Sequence, residues 1–250
     1  MTTTERKRWG RRWGAWPLAA LLLAMLAGCA SAPRQADALQ TPGRWMFVYY
    51  ETAQVARAQM PPPFFDALRF LPDGQAAIVR AFGELPMTVP CDLAPDGTAL
   101  FRLPTPQGRP ILLRCQARLA DEGRVLTLRD RGTAAVFIPE DALEPGEALR
   151  GRWRGVGANG VPVEMQLAAD GAARFGGVAG CWHRLWRSGS GLMLSLMWPA
   201  TRGGQGGTLV WQARLSDGAD GQLELTPQGG GQRLTLRRAE TEATRGGEAR

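Results

Sequence analysis

Three short peptides recur in the same order in the two halves of this 250-residue chain, 96 to 108 residues apart. The pairs are Gly43-Arg44-Trp45 with Gly151-Arg152-Trp153, Asp73-Gly74 with Asp170-Gly171, and Gln116-Ala117-Arg118-Leu119 with Gln212-Ala213-Arg214-Leu215. The change in spacing indicates one insertion in the first copy, around Met60–Phe65. A tandem duplication restricts the chain to folds that can be built twice from about 100 residues.

Within each copy the residue pattern predicts short antiparallel strands. Val125, Thr127 and Arg129 alternate with Leu126 and Leu128, which is the period of a half-buried strand. The strands predicted in the first copy are 44–50, 67–71, 76–81, 98–103, 111–119, 124–129 and 134–138. Those predicted in the second copy are 153–157, 163–167, 172–175, 192–198, 208–215, 222–226 and 233–238. The one predicted helix runs from Glu51 to Met60.

The predicted fold class is therefore all-β, with two tandem small antiparallel β-barrels or sandwich-like domains. The domains are expected at 43–139 and 150–238, joined by a linker at 140–149 that contains Pro145 and Gly146. Closing each sheet on itself would remove its exposed edges. Residues 239–250 have almost no apolar content and are predicted to be a disordered tail.

The first 28 residues have the composition of a bacterial signal peptide. Five basic residues precede an apolar segment from Trp16 to Ala27, which is too short to span a bilayer. Leu26-Ala27-Gly28-Cys29 resembles the lipobox of bacterial lipoproteins. That resemblance implies cleavage before Cys29 and lipidation of this cysteine, and several acyl chains would give stable membrane anchoring. The alternative is an ordinary secretory signal that happens to carry a cysteine.

The residues after Cys29 bear on where such a lipoprotein would reside. Ala30 stands where inner-membrane lipoproteins usually carry aspartate, so resemblance to the sorting pattern implies the outer membrane, with the protein facing the periplasm. Residues 29–42 are mostly small and polar and are predicted to be a lipidated flexible tether. The first expected partner is therefore the membrane of the cell envelope, reached through the N-terminal lipid.

The positive charge of the chain lies partly in the signal peptide. Removing the five basic residues and one acid of the signal lowers the formal net charge from +7 to +3. A nucleic-acid-binding function loses most of its support with that change, so no nucleic-acid partner is expected.

The second copy resembles the META domain of bacterial envelope and heat-shock lipoproteins. The resemblance is carried by Gly151-Arg152-Trp153, the Asp170-Gly171 turn, Gly177-Val178-Ala179-Gly180-Cys181 and Thr201-Arg202. Trp182 departs from it, because that family usually has asparagine after the cysteine. The opening Gly-x-Trp is equally similar to lipocalin-type barrels, in which the tryptophan plugs one end. Both families imply β folds and mostly non-catalytic roles.

Three cysteines remain once Cys29 is set aside for lipidation. Cys91 and Cys115 lie on either side of the predicted strand 98–103, and in an oxidising envelope we expect them to form a disulfide. Cys181 would then have no partner, and a single thiol of this kind is either buried or reactive. Its apolar neighbours favour burial.

The remaining motifs give little support to catalysis. Gly155–Gly160 spells a dinucleotide-binding pattern, but Val161-Pro162-Val163 follows it where a helix would be needed, so a hairpin turn is predicted. His183 is the sole histidine and forms only a Cys-x-His pair with Cys181, too few ligands for zinc. We therefore predict no enzyme activity, no cofactor and no metal site.

Large aromatic side chains concentrate in the second copy, together with Met193 and Met197. The candidate ligand-binding residues among them are Trp182, Trp186, Trp198 and Trp211. They would either fill the core of a small domain or line the mouth of a barrel. Two functions follow: an envelope lipoprotein with a structural, stress-related or protein-interaction role, or a lipocalin-like carrier that holds a small apolar ligand in the second domain.

Overall fold

The computed structural model describes residues 35–40, 43–52, 65–157, 160–198, 207–216 and 221–239. These residues lie in one compact unit, Gln35–Arg250. They form two closed antiparallel barrels of eight strands each. The predicted all-β fold class is confirmed. Of the two predicted forms, the domains are barrels and not sandwiches.

Each barrel is an up-and-down meander in which every strand pairs with the next and the eighth closes onto the first. The first barrel consists of β1 (Trp45–Thr52), β2 (Ala67–Leu71), β3 (Gln75–Val79), β4 (Met87–Leu93), β5 (Thr98–Leu103), β6 (Ile111–Ala120), β7 (Val125–Asp130) and β8 (Thr133–Pro139). The second consists of β9 (Gly151–Val156), β10 (Pro162–Leu167), β11 (Ala172–Phe175), β12 (Val178–Ser188), β13 (Gly191–Trp198), β14 (Gly207–Leu215), β15 (Gln222–Pro227) and β16 (Leu234–Arg238). A short helix, α1 (Gln35–Gln40), precedes the first barrel, and 3-10 turns cover Asp121–Gly123, Glu140–Ala142 and Glu147–Leu149.

The recurring peptides occupy equivalent places in the two barrels. Trp45 and Trp153 lie in the first strand of each barrel, and the two Asp-Gly turns join the second strand to the third. Gln116–Leu119 and Gln212–Leu215 lie in the sixth strands, β6 and β14. The repeat seen in the sequence therefore corresponds to the repeat of the fold.

The sequence analysis missed the same strand in each copy, the fourth. Pro90 lies within β4. Gly180 lies within β12, which also contains the charged residues Arg184 and Arg187. Prolines and glycines lower strand propensity, and both strands are paired on both sides in spite of them. The helix predicted from Glu51 to Met60 is wrong at its start, because Glu51 and Thr52 complete β1; its remainder lies outside the described residues.

One end of each barrel is plugged in the same way. The indole Nε1 of Trp45 donates a hydrogen bond to the carbonyl of Leu39 in α1 (3.0 Å), and Nε1 of Trp153 donates to the carbonyl of Leu149 in the last 3-10 turn (2.8 Å). Both leucines and both tryptophans are buried. We call these the plugged ends, and the opposite ends the far ends. Since α1 lies in the segment predicted to be a flexible tether, that prediction is wrong for residues 35–40.

Arg238 makes additional interactions with the plug of the second barrel. The guanidinium of Arg238 lies 4.7 Å from the ring centroid of Trp153, within cation–π range. The same group donates hydrogen bonds to the carbonyls of Arg150 (3.0 Å) and Ala148 (2.6 Å) in the preceding turn. The last strand of the barrel therefore holds the turn and the tryptophan in place together.

Large apolar side chains fill both barrel interiors. The first interior is rich in aromatic rings, contributed by Trp45, Phe47, Phe65, Phe70, Phe101 and Phe137. The second is filled mainly by leucines around Trp153 and Trp211, namely Leu167, Leu185, Leu194, Leu196, Leu223, Leu225 and Leu236. Each barrel thus has its own hydrophobic core.

Replacing Leu39 by alanine tests whether α1 belongs to the fold. Because the side chain is fully buried, we expect Leu39→Ala to lower the free energy of unfolding by about 2–5 kcal/mol in urea titrations. The matched control is Leu215→Ala, at a leucine that is 36% exposed, for which a change of about 0.5 kcal/mol or less is expected. Equal effects of the two substitutions would mean that α1 is not part of the folded unit.

Candidate functional site

The two barrels meet through the outer faces of β12, β13 and β14 on the second and of β1 and β8 on the first, together with Asp66 just before β2. Three cross-strand pairs form the contact face of the second barrel: Trp182 opposite Met197, Arg184 opposite Ser195, and Trp186 opposite Met193. The two tryptophan–methionine pairs pack against the first barrel, and Arg184 and Ser195 lie buried between them. We call this contact the junction.

Arg184 reaches from the second barrel into the first at the point where β1 and β2 part. One of its terminal nitrogens, Nη2, donates to Oδ1 of Asp66 at 2.8 Å. The other, Nη1, donates to the carbonyl of Asp66 at 3.1 Å and to the carbonyl of Phe47. The backbone N–H of Asp66 itself donates to Val79 in β3 (2.7 Å). The guanidinium therefore bonds to the backbone of the first barrel as well as to a carboxylate.

This ion pair is almost free of solvent. The side chains of Arg184 and Asp66 are 6% and 5% exposed. Burial lowers the pKa of the Arg184 guanidinium, and the neighbouring Asp66 carboxylate opposes that shift. A buried charge pair of this kind contributes little net stability compared with apolar packing, but the loss of one partner leaves the other charge unpaired, at a cost of about 3–5 kcal/mol.

Stacked aromatic rings flank the ion pair on both sides. The ring of Trp182 lies parallel to that of Phe82, with centroids 5.6 Å apart, and Trp186 stacks on Tyr49 at 6.2 Å. Trp182 and Trp186, predicted as ligand-binding residues, are instead buried at the junction. They lie there, and not at a barrel mouth, because alternate residues of β12 point away from the barrel interior.

A groove of about 680 Å³ lies beside the junction, between the two barrels. On the first barrel it is lined by Tyr49, Tyr50, Glu51, Arg129 and Gly132, and on the second by residues that include Thr208, Val210, Gln228 and Gly229. The backbone N–H of Tyr50 lies 3.5 Å from the hydroxyl of Thr208 across it. Burial raises the pKa of both tyrosines, so their hydroxyls stay protonated. The groove thus presents hydroxyl, carboxylate, guanidinium and amide groups side by side.

A second cavity, of about 280 Å³, lies at the far end of the second barrel. Its lining is almost wholly apolar and consists of Phe175, Gly176, Val178, Cys181, Leu196, Trp198 and Leu209. Trp198, predicted as a ligand-binding residue, forms part of this wall. Trp211, the fourth candidate, is buried in the core, with its ring centroid 5.5 Å from that of Phe175. Of the four predicted tryptophans, Trp198 alone lines this cavity.

The predicted disulfide is not formed. Cys91 and Cys115 are both free thiols in the interior of the first barrel. Cys91 pairs with Phe101 and Cys115 with Ala99, so β5 lies between the two cysteine strands. Strands two places apart are separated by roughly 9–10 Å, beyond the roughly 7 Å that a disulfide can bridge between Cα atoms. Burial raises the pKa of each thiol to about 12.

Cys181 and His183 are neighbours in β12 without forming a metal site. Cys181 is buried, as predicted, and its sulfur lies 3.6 Å from the carbonyl of Val178. Burial lowers the pKa of His183, which favours the neutral imidazole. Within the described ranges no three His, Cys, Asp or Glu residues lie close enough together to hold a metal ion. Gly155–Gly160 spans the end of β9 and the turn into β10, as predicted, although Ala158 and Asn159 lie outside the described residues.

Several sequence predictions fall on residues that the structure does not describe. They include the signal peptide, Cys29 and Thr201-Arg202. No helix in the described part of the chain is both long and apolar enough to cross a membrane.

Comparison with known proteins gives no match to any protein-family model, curated protein or solved structure. The likeness to META and lipocalin-type domains therefore depends on the sequence motifs alone.

Removing one charge of the buried pair tests the junction. We expect Arg184→Ala to lower the free energy of unfolding by about 3–5 kcal/mol, because the Asp66 carboxylate would stay buried without a cation. The matched control is Arg102→Ala, which breaks the exposed pair with Asp92 (2.6 Å) and should cost about 1 kcal/mol or less. Chemical denaturation measures both. A double-mutant cycle with Asp66→Ala should show strong coupling, and additive effects would contradict the assignment.

The cysteine geometry predicts slow alkylation of the native protein. With a pKa near 12, Cys91 and Cys115 would be thiolate to only about one part in ten thousand at pH 8. Iodoacetamide should label them slowly in the folded protein and rapidly in urea, as followed by mass spectrometry. A peptide linking Cys91 to Cys115 under non-reducing conditions would contradict the structure.

Proposed function

We propose that this chain is a lipid-anchored envelope protein that acts as a rigid two-barrel interaction module and carries out no catalytic chemistry. The N-terminal motif around Cys29 supports the anchor, and the duplicated β-barrels agree with the families whose motifs the second copy resembles. The role is structural, stress-related or directed at other envelope proteins. Its place is the outer membrane, facing the periplasm.

The observation that carries this proposal is the buried pair of Arg184 and Asp66. Two filled barrels joined by a flexible linker would move independently. Here a charge of one barrel is bonded inside the other, and the linker packs on the second barrel, where the backbone N–H of Glu144 donates to Leu185 at 2.8 Å. A fixed geometry between two barrels is what an interaction surface that spans both requires.

Replacing Cys29 by serine tests the anchor. We expect the wild-type chain to incorporate an alkyne-tagged fatty acid and to fractionate with membranes, and we expect Cys29→Ser to lose both properties because the thioether cannot form. Cys181→Ser is the matched control and should keep both. Membrane association that is unchanged in Cys29→Ser would contradict the lipoprotein assignment.

Photo-cross-linking in intact envelopes tests the interaction role. A cross-linking residue at Gln228, in the groove between the barrels, should give discrete products with a partner protein. The same residue at Glu122, at the plugged end of the first barrel, is the control and should give none of those products. The same products from both positions, or none from Gln228, would contradict a partner at the groove.

The apolar cavity at the far end favours a second candidate function, a carrier for a small apolar ligand. About 280 Å³ is close to the lower limit for ligand pockets. Its walls are aromatic and aliphatic, with Trp198 on one side and Leu196 on another, and the plugged end closes the opposite side of the same barrel. An uncharged ligand of naphthalene size would fit such a lining.

Binding of N-phenyl-1-naphthylamine to the purified protein tests the carrier function. We expect probe fluorescence to rise on binding, with energy transfer from the tryptophans of the second barrel, and we expect Cys181→Phe to weaken binding at least tenfold because the ring occupies the cavity. Gln212→Phe, at an exposed position on β14, is the control and should bind as the wild type does. Equal binding by the two variants, or none by the wild type, would exclude a carrier role for this cavity.

A further inference from the structure

The exposed large apolar side chains of the described residues are concentrated at the far ends of the barrels. Four lie at the far end of the first barrel, in the β3–β4 loop or at the start of β6: Phe82, Leu85, Ile111 and Leu112. Four lie at the far end of the second: Val156, Val161, Val178 and Leu209. The ninth, Leu215, lies at a plugged end. Isolated exposed apolar residues are ordinary, but a distribution this one-sided indicates a surface.

The β5–β6 hairpin projects beyond the core of the first barrel. Successive residues of a strand point to opposite faces, so one of Ile111 and Leu112 would normally be buried. Instead they are 58% and 61% exposed, and burial begins only at Leu113, which is 7% exposed. Three prolines, Pro104, Pro106 and Pro110, stiffen the loop that joins the strands. The hairpin thus holds two apolar side chains out in water.

Arginines flank these apolar side chains. Arg109 and Arg114 are exposed, before Ile111 and after Leu113 respectively. Leu85, which is 88% exposed, lies in the neighbouring loop at the same end, which also exposes Arg80 and Glu84. The plugged end of the same barrel has the opposite character. Its exposed acidic residues are Asp73, Asp96, Asp121, Glu122, Glu140 and Asp141. Exposed acidic residues therefore predominate at the plugged end, where Arg118 and Arg124 are also exposed, whereas the far end combines the apolar side chains with more exposed arginines than acidic groups.

We propose that this tip, formed by Leu85, Ile111, Leu112, Arg109 and Arg114, docks on an anionic lipid surface. The apolar side chains enter the boundary between headgroups and acyl chains while the guanidinium groups bind lipid phosphates. The acidic plugged end is repelled by the same surface. Docking is thereby oriented, with the far end of the first barrel toward the lipid.

The shape of the tip favours a bilayer over a rigid protein partner. A stable protein interface needs roughly 800 Å² on each side with close complementarity. The projecting hairpin and the separate loop form a convex surface with a few separate apolar side chains and not a continuous face. A fluid bilayer accommodates separate tips without a matching surface, and each inserted side chain adds its own transfer free energy.

Vesicle co-sedimentation of a chain beginning at Gln35 tests the proposal, since Gln35–Arg250 is one compact unit and lacks the signal and Cys29. We expect binding to vesicles of phosphatidylcholine with 30% phosphatidylglycerol, and much weaker binding to phosphatidylcholine alone. The double variant Ile111→Ser/Leu112→Ser should lower the partition coefficient roughly tenfold or more. Arg109→Ala/Arg114→Ala should lower it by a similar factor at low salt and by less at high salt.

Matched controls at the other ends separate a specific tip from general stickiness. Leu215→Ser removes the exposed leucine at a plugged end, and Arg118→Ala/Arg124→Ala removes two exposed arginines near the acidic end of the first barrel. Both should bind as the parent chain does. An absence of binding to anionic vesicles would overturn the proposal, as would equal losses in the tip variants and the controls. Because this chain lacks Cys29, the result is independent of the lipoprotein anchor.

Discussion

The ion pair between Arg184 and Asp66 is the interaction on which the arrangement of the two barrels depends. It joins β12 to the point where β1 and β2 part, and it bonds to backbone carbonyls as well as to a carboxylate. An apolar contact would tolerate sliding, whereas a desolvated guanidinium has few alternative partners. The tryptophan–methionine pairs on either side supply apolar contact area, and the ion pair fixes how the two barrels are placed against each other. The groove beside the junction is lined by residues of both barrels, so its shape depends on that arrangement.

The sequence predicted the architecture well because barrel strands depend on local alternation and turns. The Asp-Gly turns and the repeated Gly-Arg-Trp identified both copies and the correct number of domains. The fourth strands were missed, since Pro90 in β4 and the charged, glycine-containing sequence of β12 contradict simple strand propensity. This omission concealed the junction, because Arg184 lies in β12. Most charged residues within these strands are exposed, so the sequence around Arg184 does not distinguish it from them, and its partner Asp66 is 118 residues away in sequence.

The positions of the cysteines and tryptophans depend on strand order and on the direction in which each side chain points. Spacing places Cys91 and Cys115 on either side of one strand, and only the register shows that β5 separates them. Composition identifies a cluster of tryptophans, and only the alternation along β12 sends Trp182 and Trp186 outward while Trp211 on β14 points inward. Both outcomes depend on pairing between distant segments, which single-sequence patterns do not contain.

The two barrels share the same plug, but their far ends differ. In the first barrel, aromatic rings fill the interior, and apolar side chains project outward on the β5–β6 hairpin. In the second, the small side chain of Cys181 stands among Phe175, Leu196 and Trp198, and an apolar cavity remains. The far end of the first barrel therefore exposes apolar side chains on a projecting hairpin, and the far end of the second contains an apolar cavity. Because the buried ion pair holds the two barrels together, the exposed hairpin and the cavity keep fixed positions relative to each other. Binding at the hairpin would therefore set the position of the cavity, and the reverse.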